Sequence, residues 1–191
     1  IRQSAPGVYA AGCDRWYSDA EVIKCIAGKE SGAKTAVLLG DSHAGQWFSA
    51  FNEIMMEEGW QLVFVTKSAC PIVNASFFYE KIGRIYRECE QWRARALIDI
   101  SSMRPDLIIV SGSEDYPFSP GEWNRGTLEA LTPLAAASKR LVILRDTPLP
   151  RFDVPNCLAR RQWQPAIFRG DCSFQAENSL SPMLLQMHRR I

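Results

Sequence analysis

The chain has 191 residues, 47% of them hydrophobic and 23% charged, and 22 Lys and Arg against 21 Asp and Glu give a formal net charge of +1. That length suits one domain with a real core, and the even balance leaves no strong field to draw nucleic acid or an anionic membrane. No apolar run approaches the roughly 20 residues of a membrane span, and the first residues, from Ile1, are not a signal peptide, so the chain reads as a piece of something longer.

Residues 1–34 are irregular and rich in Gly and Ala, and are expected to form a lead-in arm on a domain over 35–191. Thr35 to Gly40 is a continuous apolar run, as in a strand covered on both faces of a parallel sheet. From His43 to Glu58, Trp47, Phe48, Phe51, Ile54 and Met55 share one helical face, with Gly59 as the stop. Gln61 to Thr66 is the second strand, and Lys67-Ser68-Ala69-Cys70-Pro71 is the turn at its end. A loop through Phe77, Phe78 and Tyr79 leads to a helix over 80–101, where Ile82, Ile85, Tyr86, Cys89, Trp92, Ala96, Leu97 and Ile100 step by three and four. Leu107 to Ser111 is the third strand, followed by the turn Gly112-Ser113-Glu114-Asp115. A helix from about Glu122 to Ser138 contains Pro133, and Leu141 to Leu144 is the fourth strand. After Asp146 the chain reads as proline-rich loop, and from Gln175 on, Leu180, Met183, Leu184 and Met187 predict a final helix.

Strands alternating with helices imply right-handed βαβ units and an α/β, doubly wound, mostly parallel sheet. Sites in such sheets form outside the C-terminal ends of the strands. The turns at 40–43, 67–70 and 112–115 stand there and are expected to converge. The six cysteines fall as three sequence-local pairs, Cys13 with Cys25, Cys70 with Cys89 and Cys157 with Cys172. An even count at such spacing suggests disulfides and an oxidising compartment. Six reduced cysteines, some buried, are the alternative. No zinc or other metal site is expected, since there is no C-x-x-C and only two histidines occur.

The chemistry concentrates at Gly40-Asp41-Ser42-His43. Acyl transfer through serine needs a nucleophile, a base and donors aimed at the developing oxyanion. Ser42, at a strand end and a helix start, is the candidate nucleophile, and its own backbone N–H is a candidate oxyanion donor. The turn is not the G-x-S-x-G elbow. The competing reading is that Asp41 or Ser42 is simply an N-cap. Arg160-Arg161 and Arg189-Arg190 read as solvated faces. Trp92, Trp123 and Trp163 are candidates for stacking on sugar rings, with Trp92 the one that fits a core position.

Gly40-Asp41-Ser42 resembles the first block of the SGNH (GDSL-type) hydrolase superfamily. The resemblance extends through His43, Ser68-Ala69-Cys70-Pro71, Cys89 with Trp92, Pro105-Asp106, Asp146-Thr147-Pro148 and Asp153-Val154-Pro155-Asn156-Cys157-Leu158. Together these look like the periplasmic SGNH domain fused after the membrane-embedded domain of family-three acyltransferases, which O-acetylate bacterial polysaccharides. The resemblance implies a three-layer, flavodoxin-like sheet with Ser42 as the acyl-accepting nucleophile. It also implies no cofactor, a covalently linked membrane acyltransferase domain as partner, a glycan acceptor, no nucleic acid, and a place on the extracytoplasmic side of a membrane.

Two of the family's features are altered and one is missing. The turn of Ser68 occupies the place of the second block without its oxyanion glycine, which makes Ser68 a candidate. The turn of Gly112, Ser113 and Glu114 occupies the third, with Glu114 where that block carries Asn. An ionised carboxylate cannot donate to an oxyanion, so Glu114 either contacts substrate or is a loop charge. The family's base comes from an Asp-x-x-His near its C-terminus, and this chain contains none. His43 adjoins Ser42 and points away from it, so it is expected to orient the turn or line the pocket. His188 is expected to be a solvated charge. The expectation is therefore a four-stranded sheet lacking its last strand, inactive alone. In the full protein it would perform serine-dependent acyl transfer to a polysaccharide hydroxyl, or ester hydrolysis. The alternative is a non-catalytic module that binds glycan or presents the acceptor.

Overall fold

The computed structural model of the chain describes residues 7–148, 150, 152–163, 167 and 170–174. Two compact units divide it, one of Ala5–Asp146 and one that takes in the residues from Thr147 onward. The elements of the first unit are α1 (Gly7–Ala10), β1 (Cys25–Gly28), β2 (Thr35–Gly40), α2 (Ser42–Gly45), α3 (Phe48–Glu57) and β3 (Gln61–Thr66). They continue with β4 (Phe78–Tyr79), β5 (Arg84–Ile85), α4 (Arg87–Met103), β6 (Leu107–Ser111), α5 (Pro120–Ala137) and β7 (Leu141–Leu144). The second unit carries α6 (Val154–Trp163).

The main sheet runs in the order β1-β3-β2-β6-β7, with β3, β2, β6 and β7 parallel and β1 antiparallel on the edge of β3. β2 is the central strand and is buried from Ala36 to Gly40, which explains its unbroken apolar run. Its residues alternate between the two faces. Ala36 and Leu38 join Leu62, Phe64, Ile109, Val8 and Met55 in one core, against which Phe48 and Phe51 of α3 pack. Trp92 and Ile100 of α4 and Leu134 of α5 are fully buried and belong to the other helical layer. The chain leaves β2 toward β3 and then returns across it to β6, so the strand order reverses at β2 and β6. That is where a doubly wound sheet opens its crevice.

The parallel, doubly wound architecture is as expected, and several boundaries are not. Among the described residues the main sheet has five strands, not four, because Cys25–Gly28 forms β1 within the segment read as irregular. A four-residue edge strand with a half-exposed Ile26 carries too little apolar pattern to be seen. The helix expected over 43–58 is two, α2 and α3. The single turn of α2 is capped by Asp41, and a new helix starts from Trp47. The helix expected from 80 starts at Arg87. Tyr79 and Arg84 are instead paired in the hairpin of β4 and β5, turned by Gly83 at φ +65°. Ile82 and Ile85 happen to fall in phase with the helix that follows. The stretch after Asp146 contains α6, with Pro155 in its first turn, where proline is tolerated. The final helix expected from Gln175, and His188, lie outside the described residues.

All three cysteine pairs are disulfides: Cys13–Cys25, Cys70–Cys89 and Cys157–Cys172. Cys70 and Cys89 are both fully buried and tie the end of β3 to the first turn of α4. The loop they close spans 19 positions. Replacing both by Ser is expected to cost about 3 kcal/mol, seen as a lower urea midpoint at similar slope. An unchanged midpoint contradicts a bridge that constrains the chain.

Candidate functional site

The candidate site stands at the C-terminal ends of four parallel strands. Gly40, the last residue of β2, lies in register between Thr66 of β3 and Ser111 of β6. A Cβ at this position would fall 1.7 Å from the Ser111 carbonyl oxygen and 2.7 Å from Ala44 Cβ. Glycine is therefore what lets β2 pass this close to β6 and turn at once into α2.

Asp41 follows with 0% exposure. Its Oδ1 accepts the His43 backbone N–H at 2.8 Å, which caps α2. Its Oδ2 accepts the Ser113 backbone N–H at 2.9 Å and the Tyr116 hydroxyl at 2.6 Å. Gly112 makes room for this, since a Cβ there would meet Asp41 Oδ2 at 3.3 Å. Burial pushes the Asp41 carboxyl above its ordinary pKa, and the three hydrogen bonds, that of Tyr116 foremost, hold the rise back. Of the two cap candidates, Asp41 is the cap. Ser42 is the first residue of α2, part exposed, and its hydroxyl makes no hydrogen bond with a described residue.

His43 reaches the chain just beyond β7. Its Nδ1 lies 2.6 Å from Oδ1 of Asp146, two residues beyond β7. The Glu114 backbone N–H donates to the other oxygen of Asp146 at 3.3 Å. The hydrogen bond to Asp146 raises the His43 pKa above the ordinary imidazole value, and burial only partly opposes it. The side chain of Glu114 is taken by Arg145 in a two-pronged ion pair, Nε to Oε1 at 3.0 Å and a terminal nitrogen to Oε2 at 2.7 Å. Glu114 is thus the partner of Arg145 and braces the turn beside Asp146.

Asp41, Ser42, His43, Gly112, Ser113 and Glu114 are thus brought together as expected. Ser68 is held differently. Its backbone N–H and its hydroxyl both contact Asp14 Oδ2, at 2.7 and 2.9 Å, and its oxygen also meets the Tyr9 hydroxyl at 3.1 Å. Next to it the buried Lys67 donates through Nζ to the carbonyls of Trp16 and Asp19. The arm therefore stitches itself across the end of β3. Tyr116, Arg145 and Asp14 are residues of the site that sequence reading did not single out, and Asp146 entered it only within the Asp146-Thr147-Pro148 resemblance, with no role in the site. The signal for Asp146 was its place just past a strand end, the rule already applied to the other three strands. Trp92 is core, as expected of its helical phase, and Trp123 lies in an aromatic cluster with Phe118 and Tyr116. Among the described residues no group of three or more His, Cys, Asp or Glu stands together as a metal site, and no helix is long and apolar enough to cross a membrane.

A parallel sheet carrying Gly-Asp-Ser at the end of its central strand, with the acid buried and the serine open, is the arrangement of an SGNH-type α/β domain. The family model of the SGNH domain fused to AT3 domains matches residues 12–189, and the chain belongs to that family. In fold it is similar to the periplasmic domain of the lipopolysaccharide acetyltransferase of Salmonella ser. Paratyphi A, with a TM-score of 0.55 at 12% identity. The likeness covers 84% of this chain and 62% of that one, so the chain spans less than two thirds of that domain. No curated protein matches the sequence.

Two outcomes test the site's bonding. By NMR, His43 is expected to titrate above an ordinary imidazole, and Asp146→Asn to lower it. Because the folded pKa is the raised one, the stability that the pair adds is full below the unfolded pKa. It is lost as pH rises through the folded value. Tyr116→Phe removes one donor from a buried carboxylate and is expected to cost roughly 2 kcal/mol in chemical denaturation. An unperturbed His43 titration, or a Tyr116→Phe variant of full stability, contradicts the corresponding bond.

Proposed function

We propose that this domain carries an acyl group on Ser42 and delivers it to a hydroxyl of a cell-surface glycan, with water as the competing acceptor. The acyl donor is served by a membrane acyltransferase domain in the same polypeptide, and the work is done on the extracytoplasmic side of the membrane. The observation that carries this reading is the contrast within the turn: the side chains of Asp41 and His43 are held by Tyr116 and Asp146, while the part-exposed serine between them has a hydroxyl with no hydrogen bond to a described residue. Family membership and the fold shared with an acetyltransferase periplasmic domain support it.

In the first step Ser42 Oγ attacks the acyl carbonyl carbon and gives up its proton to a base. We assign that base to an Asp-x-x-His of the family type, which this chain does not contain, so the chain alone is expected to be inactive. The Ser42 backbone N–H, in the first turn of α2, faces the developing oxyanion. The donor's leaving group departs and Ser42 holds the acyl group as an ester.

A second reading, a non-catalytic module that presents the glycan, is favoured by one observation. The turns of Ser68 and Glu114 have their polar groups committed to Asp14, Asp146 and Arg145. The two readings part on one substitution. In the full-length protein, Ser42→Ala is expected to lower acetyl-ester turnover by about a thousandfold or more, measured as acetate release. Equal turnover by both proteins supports the presenting module.

A further inference from the structure

We propose that His43, held by Asp146, takes the proton from the acceptor hydroxyl as that hydroxyl attacks acyl-Ser42. The proposal rests on the reading of Ser42 as nucleophile and adds the group that serves the second half of the reaction.

Its basis is the geometry of the pair. Asp146 has a side chain only 3% exposed and sits 2.6 Å from Nδ1 of His43. A carboxylate at that nitrogen keeps the proton of the neutral ring on Nδ1 and leaves Nε2 as the acceptor. Asp146 is itself oriented by the Glu114 N–H, so the ring is aimed by two strand ends, those of β6 and β7. The His43 side chain is 31% exposed, and its Nε2 makes no hydrogen bond with a described residue.

Consecutive helical residues diverge by about 100°. His43 therefore stands beside the Ser42 hydroxyl and is poorly aimed at its proton. A ring there flanks the path of a second molecule approaching the acyl group. The charged groups around it are Asp41 on its own turn, Asp115 beyond β6 and Asp146 beyond β7. All three favour the protonated ring, and burial opposes them.

The step balances without a further reactant. The acceptor oxygen bonds to the carbonyl carbon while its proton moves to Nε2, and Asp146 stabilises the imidazolium without taking a proton. The bond between that carbon and Ser42 Oγ then breaks. Nε2 returns the proton through a water molecule to the departing Oγ, which restores both side chains.

The test uses the full-length protein with p-nitrophenyl acetate as probe, followed by nitrophenolate release and by intact mass. In His43→Gln the first acylation is expected to persist, while discharge slows about a hundredfold and acyl-Ser42 accumulates. Discharge at the wild-type rate overturns the proposal. A His43→Gln protein that acylates no better than Ser42→Ala also overturns it, since His43 then only holds the turn. Asp146→Asn keeps an oxygen to accept the Nδ1 proton but removes the charge, so the acid limb of the discharge rate is expected to move to lower pH. An unmoved limb overturns the proposal. Absence of any adduct in the wild type, with Ser42→Ala unaffected, instead removes the Ser42 reading on which it rests.

Discussion

The carboxylate of Asp41 has no contact with solvent, and three donors from two separate turns hold it there. Moving a carboxylate out of water costs several kcal/mol. Each hydrogen bond to the charged group returns roughly 1.5–3 kcal/mol. The offset is incomplete, since the pKa of Asp41 stays raised. Ionised Asp41 therefore weighs against folding. That penalty is absent below its unfolded pKa and full above its folded one. In return, the turn after β2 and the turn after β6 are joined through one carboxylate, and a glycine stands at each. Gly40 lets the strands approach, and Gly112 lets the second turn close on the acid.

A second carboxylate repeats the arrangement one strand further on. Asp146 accepts from the His43 ring and from the Glu114 backbone, so the ends of β2, β6 and β7 are linked in sequence. Glu114 and Arg145 brace that link from outside. On the other flank the arm before β1 does similar work for β3, through Asp14 on Ser68 and Lys67 on the carbonyls of Trp16 and Asp19. The Cys13–Cys25 disulfide fastens the arm to the edge strand. The strand ends are thus tied together through buried charges, each satisfied by a different stretch of chain, and the Ser42 hydroxyl among them makes no hydrogen bond with a described residue.

Much of this was legible from the sequence where the signal is local. The buried strands show as apolar runs because both faces are covered, and the Gly-Asp-Ser turn shows because strand, breaker and helix meet there. The cysteine pairs were suggested by their short spacing. What was not legible depends on distance or on weak amphipathy. His43 and Asp146 are 103 positions apart, and nothing in either neighbourhood announces the other. β1 is four residues on an edge, and the hairpin of β4 and β5 imitates the phase of the helix after it. Whether Asp41 or Ser42 caps α2 could not be decided from adjacent polar residues. It is settled by which side chain turns inward, and that depends on Tyr116, 75 residues away.

The central claim is that the buried Asp41 clamp leaves Ser42 as a reactive hydroxyl. A fluorophosphonate probe, which phosphonylates activated serines, tests this directly when applied to the full-length protein and followed by peptide mapping. The account predicts one adduct, on the peptide that contains Ser42, lost when the protein is unfolded before labelling. Labelling confined to another serine, or no labelling of the folded protein, would contradict it.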